Sequence, residues 1–346
     1  MSRCVVITTI LRPSVQVIDH CRRGLDDGTE VIIVADRRTP VTEYESLASD
    51  FSNLQVLSID RQHDLFPRLA AALPFNHYAR KNVGYAFAIS RGHGAIFDTD
   101  DDNVSTSEWQ SVSPGTQRLH VRRRENAPGA VAFFNVYSLY TSSHLWPRGF
   151  PLEQVRATDS GCKVGETSAD HYVAVWQGLV DGDPDVDAIA RLTSPQADGD
   201  FRFDPALRRV VLERGVLCPL NSQNTWWVDP SAFSLLFLPG TTTFRVCDIL
   251  RGYVAQHALW WRGAHAGFVH PTAFQARNPH DLLADFASEL PLYLHATKMN
   301  HVLNDAARRY TGGADDLVTA YDALAEANLA DPRERDIAEA WLSSIG

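Results

Sequence analysis

No two of the five cysteines, Cys4, Cys21, Cys162, Cys218 and Cys247, form a C-x-x-C pair. That argues against a structural zinc finger or a disulfide framework and for reduced thiols. No apolar run approaches the roughly 20 residues that a membrane-spanning helix needs. The N-terminal Met1-Ser2-Arg3-Cys4-Val5-Val6-Ile7 runs straight into a strand-like segment, without a signal-peptide apolar region and cleavage site. The expected compartment is therefore the cytoplasm. Positive charge is also scarce: Lys and Arg number 32 against 42 Asp and Glu, a net charge of −10. Such a balance argues against nucleic acid as a partner. A nucleotide ligand remains open, because one divalent metal reverses the local sign. A P-loop, a nucleophile elbow and an H-E-x-x-H pair are all missing. Gly92-His93-Gly94 lacks a third glycine and precedes a strand, so it is no dinucleotide fingerprint. Asp183-Pro184-Asp185-Val186-Asp187 resembles a calcium loop only superficially. Ala188 occupies the glycine position and Ser194 that of the closing glutamate. Neither internal repeats nor low-complexity linkers interrupt the chain.

What is present is an ordinary globular composition, 45% hydrophobic and 21% charged over 346 residues. Apolar runs at Cys4–Ile10, Glu30–Ala35 and Leu54–Ile59 read as buried parallel strands. Helical spacing at Ser14–Arg23, Val41–Phe51, Leu65–Leu73 and Tyr78–Arg91 separates them from one another and from a fourth strand. The alternation predicts an α/β fold with a mixed, mostly parallel sheet flanked by helices. Beyond Asn103 the pattern loosens. Ala130–Tyr140 reads as a strand region and Ser168–Leu179 as a helix. The Arg122-Arg123-Arg124 run reads as a solvated face. From about Asn278 the chain turns helical, which divides it into a domain at 1–277 and a helical extension at 278–346.

The chemistry concentrates where the fourth strand ends, at Ile96-Phe97-Asp98-Thr99-Asp100-Asp101-Asp102-Asn103. Ligands of open α/β sheets bind outside the carboxyl ends of the strands. Like charges crowded there repel unless a cation is present. A divalent metal carrying a phosphorylated ligand answers that repulsion, and an acidic surface turn is the plain alternative. Arg80-Lys81-Asn82-Val83-Gly84 opens the preceding helix, and two cations and an amide at a helix N-terminus suit a phosphate. The alternative is a polar first turn. Asp36 closes the second strand, where a carboxylate can accept from a base or ribose. Asp248 and Arg251 lie three apart on a helix and share a face. They are either a surface ion pair or a general base steadied by a guanidinium.

Five segments resemble the STELLO-type glycosyltransferases, of the glycosyltransferase-A fold. They are Tyr78–Tyr85, Ile96–Asp101, Trp146–Glu153, Pro184–Asp187 and Asp248–Tyr253, in order within residues 5–275. The resemblance implies transfer of a sugar from a nucleoside-diphosphate sugar, with UDP the expected carrier, to a hydroxyl on a small molecule or glycan. It implies that Thr8, Thr9 and Asp36 hold the base and ribose and that Asp98 lies near the ribose. Arg80 and Lys81, followed by Asn82, would face the diphosphate. Asp100 or Asp102 would ligate Mg²⁺ or Mn²⁺, with His270 as a further metal candidate. Trp146, Asp185 and Asp187 would shape the sugar or acceptor pocket. Asp248 would be the base and Arg251 its orienting partner. Plant members of this group are membrane-anchored, whereas no span is evident here. Two other readings are a self-glycosylating nucleotide-sugar mutase and a non-catalytic assembly partner that keeps the fold. A nucleotidyltransferase fits less well, because its glycine-rich basic loop is missing after Ile10.

Overall fold

A computed structural model describes residues 2–106, 119–125, 131–166, 171–194, 200–206, 209–275 and 281–346. The chain begins with β1 (Arg3–Thr9), α1 (Val15–Asp27), β2 (Glu30–Ala35), α2 (Val41–Asp50) and β3 (Leu54–Leu57). Then come α3 (Ile59–Leu65), α4 (Pro67–Ala72), α5 (Lys81–Ser90) and β4 (Ala95–Thr99). The strands pair in parallel in the order β3-β2-β1-β4. Their alternating side chains feed two separate cores. Val5, Ile7, Val31 and Ile33 pack with Val17, Cys21 and Tyr44 of α1 and α2. Cys4, Val6, Ile32 and Val34 pack with Val83, Ala86 and Phe87 of α5. Burial on both faces explains why these strands read as continuous apolar runs. A Cβ at Gly84 would lie 2.5 Å from Val34 and 2.6 Å from Val6, so only glycine lets α5 approach the sheet this closely.

The second half contributes β5 (Asn103–Ser105), β6 (Leu119–Arg123), β7 (Ala132–Phe133), β8 (Cys162–Glu166), β9 (Tyr172–Asp181) and α6 (Ala188–Thr193). It continues with β10 (Arg209–Leu212), β11 (Val216–Leu217), β12 (Asn224–Trp227), α7 (Phe244–Trp261) and β13 (Ala264–Gln275). The sheet extends from β4 through β12-β9-β13-β10-β6-β8, with β5 on β13, while β7 and β11 form a separate ribbon. β12 runs antiparallel to both β4 and β9, so the parallel half passes into a mixed half. This is the α/β, mixed-sheet architecture expected from the sequence.

Three further helices, α8 (Leu282–Ala306), α9 (Asp316–Glu326) and α10 (Glu334–Ile345), complete the chain. Leu292, Met299, Leu303, Tyr321 and Trp341 join the same core as α5 and α7. Trp341 Nε1 donates to the Ser234 carbonyl at 2.9 Å. The expected domain boundary at 277/278 lies outside the described residues.

Two local expectations are corrected. The helix read over Ser168–Leu179 is β9 over its described part. Val173, Ala174, Val175 and Trp176 are wholly buried there, and a short run buried on both faces carries no period that separates strand from helix. The strand region read over Ala130–Tyr140 is, over its described part, only β7 followed by a 3₁₀ turn at Val136–Leu139, capped by the Asn135 side chain. Among the described residues no helix is long and apolar enough to cross a membrane.

Candidate active site

The cavity of interest, about 490 Å³, opens where β1 and β4 end. Its wall includes Thr8, Thr9, Asp36, Tyr78, Asp100, Asp101, Asp102, Arg148, Asp185, Arg191, Arg245, Asp248 and Gln275. Local hydrogen bonds set the acidic turn. Ser14 Oγ, which caps α1, also donates to the Asp101 carbonyl at 2.6 Å. Thr9 Oγ1 donates to the Asp101 carboxylate. Tyr78 donates its phenol to Asp100 Oδ1 at 2.5 Å. Gln275 Nε2, at the end of β13, reaches both oxygens of Asp102 at 3.0 and 2.9 Å. Burial pushes Asp100 up to about 7 against the pull of Lys81, with Asp102 adding repulsion. Burial raises Asp101 as well. The turn thus holds Asp100 and Asp101 in a setting that opposes their ionisation, and a cation would relieve it.

Deeper in the wall, Arg148 forks between two acids. Its Nε and Nη2 donate to Asp185 at 2.8 Å each. Its Nη1 and Nη2 donate to Asp248 at 2.9 and 2.8 Å. The Arg245 carbonyl accepts from the same guanidinium. The next residue, Gly149 at φ +85°, lies so close to α7 that a Cβ there would collide with Ile249 and Tyr253. Burial works to raise Asp185, but Arg148 outweighs it and brings the carboxyl down to about 2. Asp248 also accepts from the Ile249 amide at 3.0 Å and from the Ser222 amide and hydroxyl at 3.3 and 3.4 Å. Arg191 pairs with Asp183, and Arg245 pairs with Glu289.

Of the residues proposed from sequence, Thr8, Thr9, Asp36, Asp100, Asp102, Asp185 and Asp248 meet in this one cavity. The others do not reach its wall. Arg80 is fully buried and donates to Gln62 Oε1 at 3.0 and 2.5 Å and to the Leu73 carbonyl, with Phe75 against its guanidinium. It does not face a diphosphate, because its donors are spent inside the protein. Asn82 locks α5 to the Leu238 backbone by two 2.8 Å hydrogen bonds. Lys81 and Arg251 clamp the wholly buried Asp98, at 2.6 and 2.8 Å. Asp98 is therefore a strut joining α5, β4 and α7 and not a ribose contact. Arg251 orients Asp98, not Asp248. Trp146 Nε1 donates to Asp187 at 2.6 Å, and Asp187 caps α6 through the Ala190 amide at 2.7 Å. That pair lies behind the wall. His270 is buried within β13, away from the cavity lining.

Sequence reasoning missed Arg148, Arg191 and Arg245. Arg148 sits in the aromatic loop Trp146–Leu152 and Arg245 opens α7, both segments already of interest. An arginine's partners are set by the fold, and no spacing rule names them.

No protein-family profile matches the chain. It is 31% identical over 264 residues to Probable glycosyltransferase STELLO1 of Arabidopsis thaliana, covering 71% of this chain and 32% of that protein. It is 33% identical over 239 residues to Probable glycosyltransferase STELLO2 of the same plant, covering 62% and 29%. The chain spans about a third of the length of these curated relatives. The crystal structure of a mycobacterial protein aligns over 88% of this chain and 74% of its own, at 11% identity and a TM-score of 0.41, a likeness too weak to carry functional meaning. Over the region it shares with the two plant proteins, this chain is similar to the STELLO-type glycosyltransferases.

Proposed function

We propose that the chain is a metal-dependent glycosyltransferase, moving a sugar from a nucleoside-diphosphate sugar, most simply a UDP-sugar, to a hydroxyl acceptor. One observation carries the reading: six carboxylates against three guanidiniums line a cavity of about 490 Å³ at the strand ends. The volume suits a ligand of nucleotide size. An anionic diphosphate entering such a wall would be repelled unless a divalent cation accompanied it.

The acidic turn fits that cation. Asp100, Asp101 and Asp102 offer only hard oxygen donors, the set that Mg²⁺ and Mn²⁺ take. About 30% of the Asp100 side chain is open to solvent. Bound there, the metal would supply Lewis-acid stabilisation of charge on the leaving diphosphate. The chain's own groups would do the rest. Asp36 and the Thr8–Thr9 strand end would hold base and ribose. Arg148, Arg191 and Arg245 are each paired with acids, so the positive charge first assigned to Arg80 and Lys81 would come from the metal.

Asp248 is the candidate base. Its oxygens already accept from Arg148, Ile249 and Ser222, and the Ser222 hydroxyl at 3.4 Å is the longest of these contacts. An acceptor hydroxyl would replace that contact and hand its proton to Oδ2. Arg148 would hold the carboxylate in place.

Calorimetry with a panel of nucleoside diphosphates tests the reading. Binding is expected with Mn²⁺ or Mg²⁺ and is expected to vanish with chelator. Absence of binding with either metal would remove the proposal.

A further inference from the structure

A second group of metal-ligating side chains gathers at the other end of the strands. His120 lies in β6, His171 immediately precedes β9, Glu213 immediately follows β10 and His265 lies near the start of β13. The sheet order β9-β13-β10-β6 places these four residues on neighbouring strands. β13 runs parallel to β9 and antiparallel to β10, so the end of β10 meets the beginnings of the other two. His265 and the cavity residue Gln275 are ten positions apart on β13, roughly 30 Å at strand rise. The group is thus separate from the acidic turn.

The distances suit ligand geometry. His120 Nδ1 lies 3.4 Å from Glu213 Oε1, and His171 Nε2 lies 3.7 Å from the same oxygen. One donor atom from each of the three residues falls within 4.8 Å of the other two. An N–H···O hydrogen bond would shorten to about 2.9 Å. Around a tetrahedral zinc with bonds near 2.1 Å, neighbouring ligand atoms sit about 3.4 Å apart. The His120 and His171 rings are 4.5 Å apart between centroids, and His265 packs edge-on against His171 at 4.7 Å. His265 Nδ1 faces the Tyr172 carbonyl at 3.3 Å, which holds that ring beside the group. His120 is buried, whereas the His171 and Glu213 side chains are 21% and 23% exposed, so an ion can enter from solvent.

We propose that His120, His171 and Glu213 form a binding site for a borderline transition-metal ion, Zn²⁺ foremost, that ties β6, β9 and β10 together. Two imidazoles and one carboxylate select Zn²⁺ over Mg²⁺ and Ca²⁺, which prefer oxygen-only sets. Three protein ligands leave one position for water. Bound to the native state alone, the ion raises stability by mass action.

The test uses the full chain, stripped with chelator and titrated with Zn²⁺ in excess Mg²⁺, which occupies hard-oxygen sites. One zinc per chain is expected by elemental analysis, together with a higher Tm. Co²⁺ should give the visible absorption of a low-coordinate nitrogen and oxygen site. His171→Ala and Glu213→Gln, both at partly exposed positions, should each weaken zinc binding by about 100-fold or more. The double variant Asp100→Asn/Asp102→Asn should leave it unchanged. No bound zinc at micromolar concentration overturns the proposal, as does zinc bound equally well by the His171 and Glu213 variants.

Discussion

Arg148 offers the most direct test of how the site is held. Its guanidinium is buried and bridges Asp185 and Asp248 through four hydrogen bonds of 2.8–2.9 Å. Arg148→Ala leaves two buried carboxylates facing each other without the guanidinium that bridges them, with Arg191 and Arg245 the remaining cations of the wall. Breaking a buried ion pair by removing one partner costs about 3–5 kcal/mol, and here the cavity admits water, which favours the lower figure. At about 2.1 cal/mol/K per residue, unfolding of the 346-residue chain carries roughly 0.7 kcal/mol/K. A loss of about 3 kcal/mol then lowers Tm by roughly 4 °C. Arg148→Lys keeps the charge but loses the fork, and should fall between the two. Adding Asp248→Asn to Arg148→Ala removes one uncompensated charge and should recover part of the lost Tm. Differential scanning calorimetry of the wild type, Arg148→Ala, Asp248→Asn and the double variant completes the cycle. A shift below about 1 °C for Arg148→Ala, or an additive double variant, would refute the bridge as an energetic unit.

Other predictions follow from the same geometry. Asp248→Asn should leave metal-dependent nucleotide binding within about twofold while lowering acceptor transfer by about 100-fold or more; transfer that persists would remove Asp248 as the base. Arg80→Ala should cost about 3 kcal/mol in urea unfolding, since it empties a packed polar site, yet leave nucleotide affinity unchanged. A large loss of nucleotide affinity without loss of stability would restore Arg80 to the phosphate. Burial lowers His257 from 6.5 to about 4, with only the Asn300 side chain opposing it. Between those pH values the unfolded chain holds the proton that the native chain refuses, so stability is full above 6.5 and falls with pH down to about 4. The loss is on the order of 3 kcal/mol. His257→Gln should flatten the difference between urea midpoints at pH 7 and pH 4.5, and an unchanged difference would show that His257 is not the responsible group.

The parallel half of the sheet was legible in the sequence because its physics is local. β1, β2 and β4 are apolar runs that must be buried on both faces, and a chain that alternates them with helices has few other ways to fold. The acidic turn was legible for a similar reason. Carboxylates after a buried strand must emerge at its end, and Asp100 to Asp102 do. Asp248 could be placed because α7 keeps helical spacing throughout.

The identity of each charge's partner was decided only by tertiary structure. Arg251 and Asp248 share a helix face, yet in a fully packed interior each turns to a different element. Arg251 meets Asp98 on β4, and Asp248 meets Arg148, 100 residues earlier in the chain. Lys81 and Arg80 look like a phosphate-binding turn in sequence. In the fold they are consumed by Asp98 and Gln62, because a buried cation takes the acceptors packed around it before any ligand arrives. The His120–His171–Glu213 group left no sequence signal at all, since its members come from strands made neighbours only by the order of the sheet. Sequence determined where apolar runs must be buried and where acids must emerge. The three-dimensional packing decided which charges neutralise one another, because Coulomb energy depends on distance in space and not on separation along the chain.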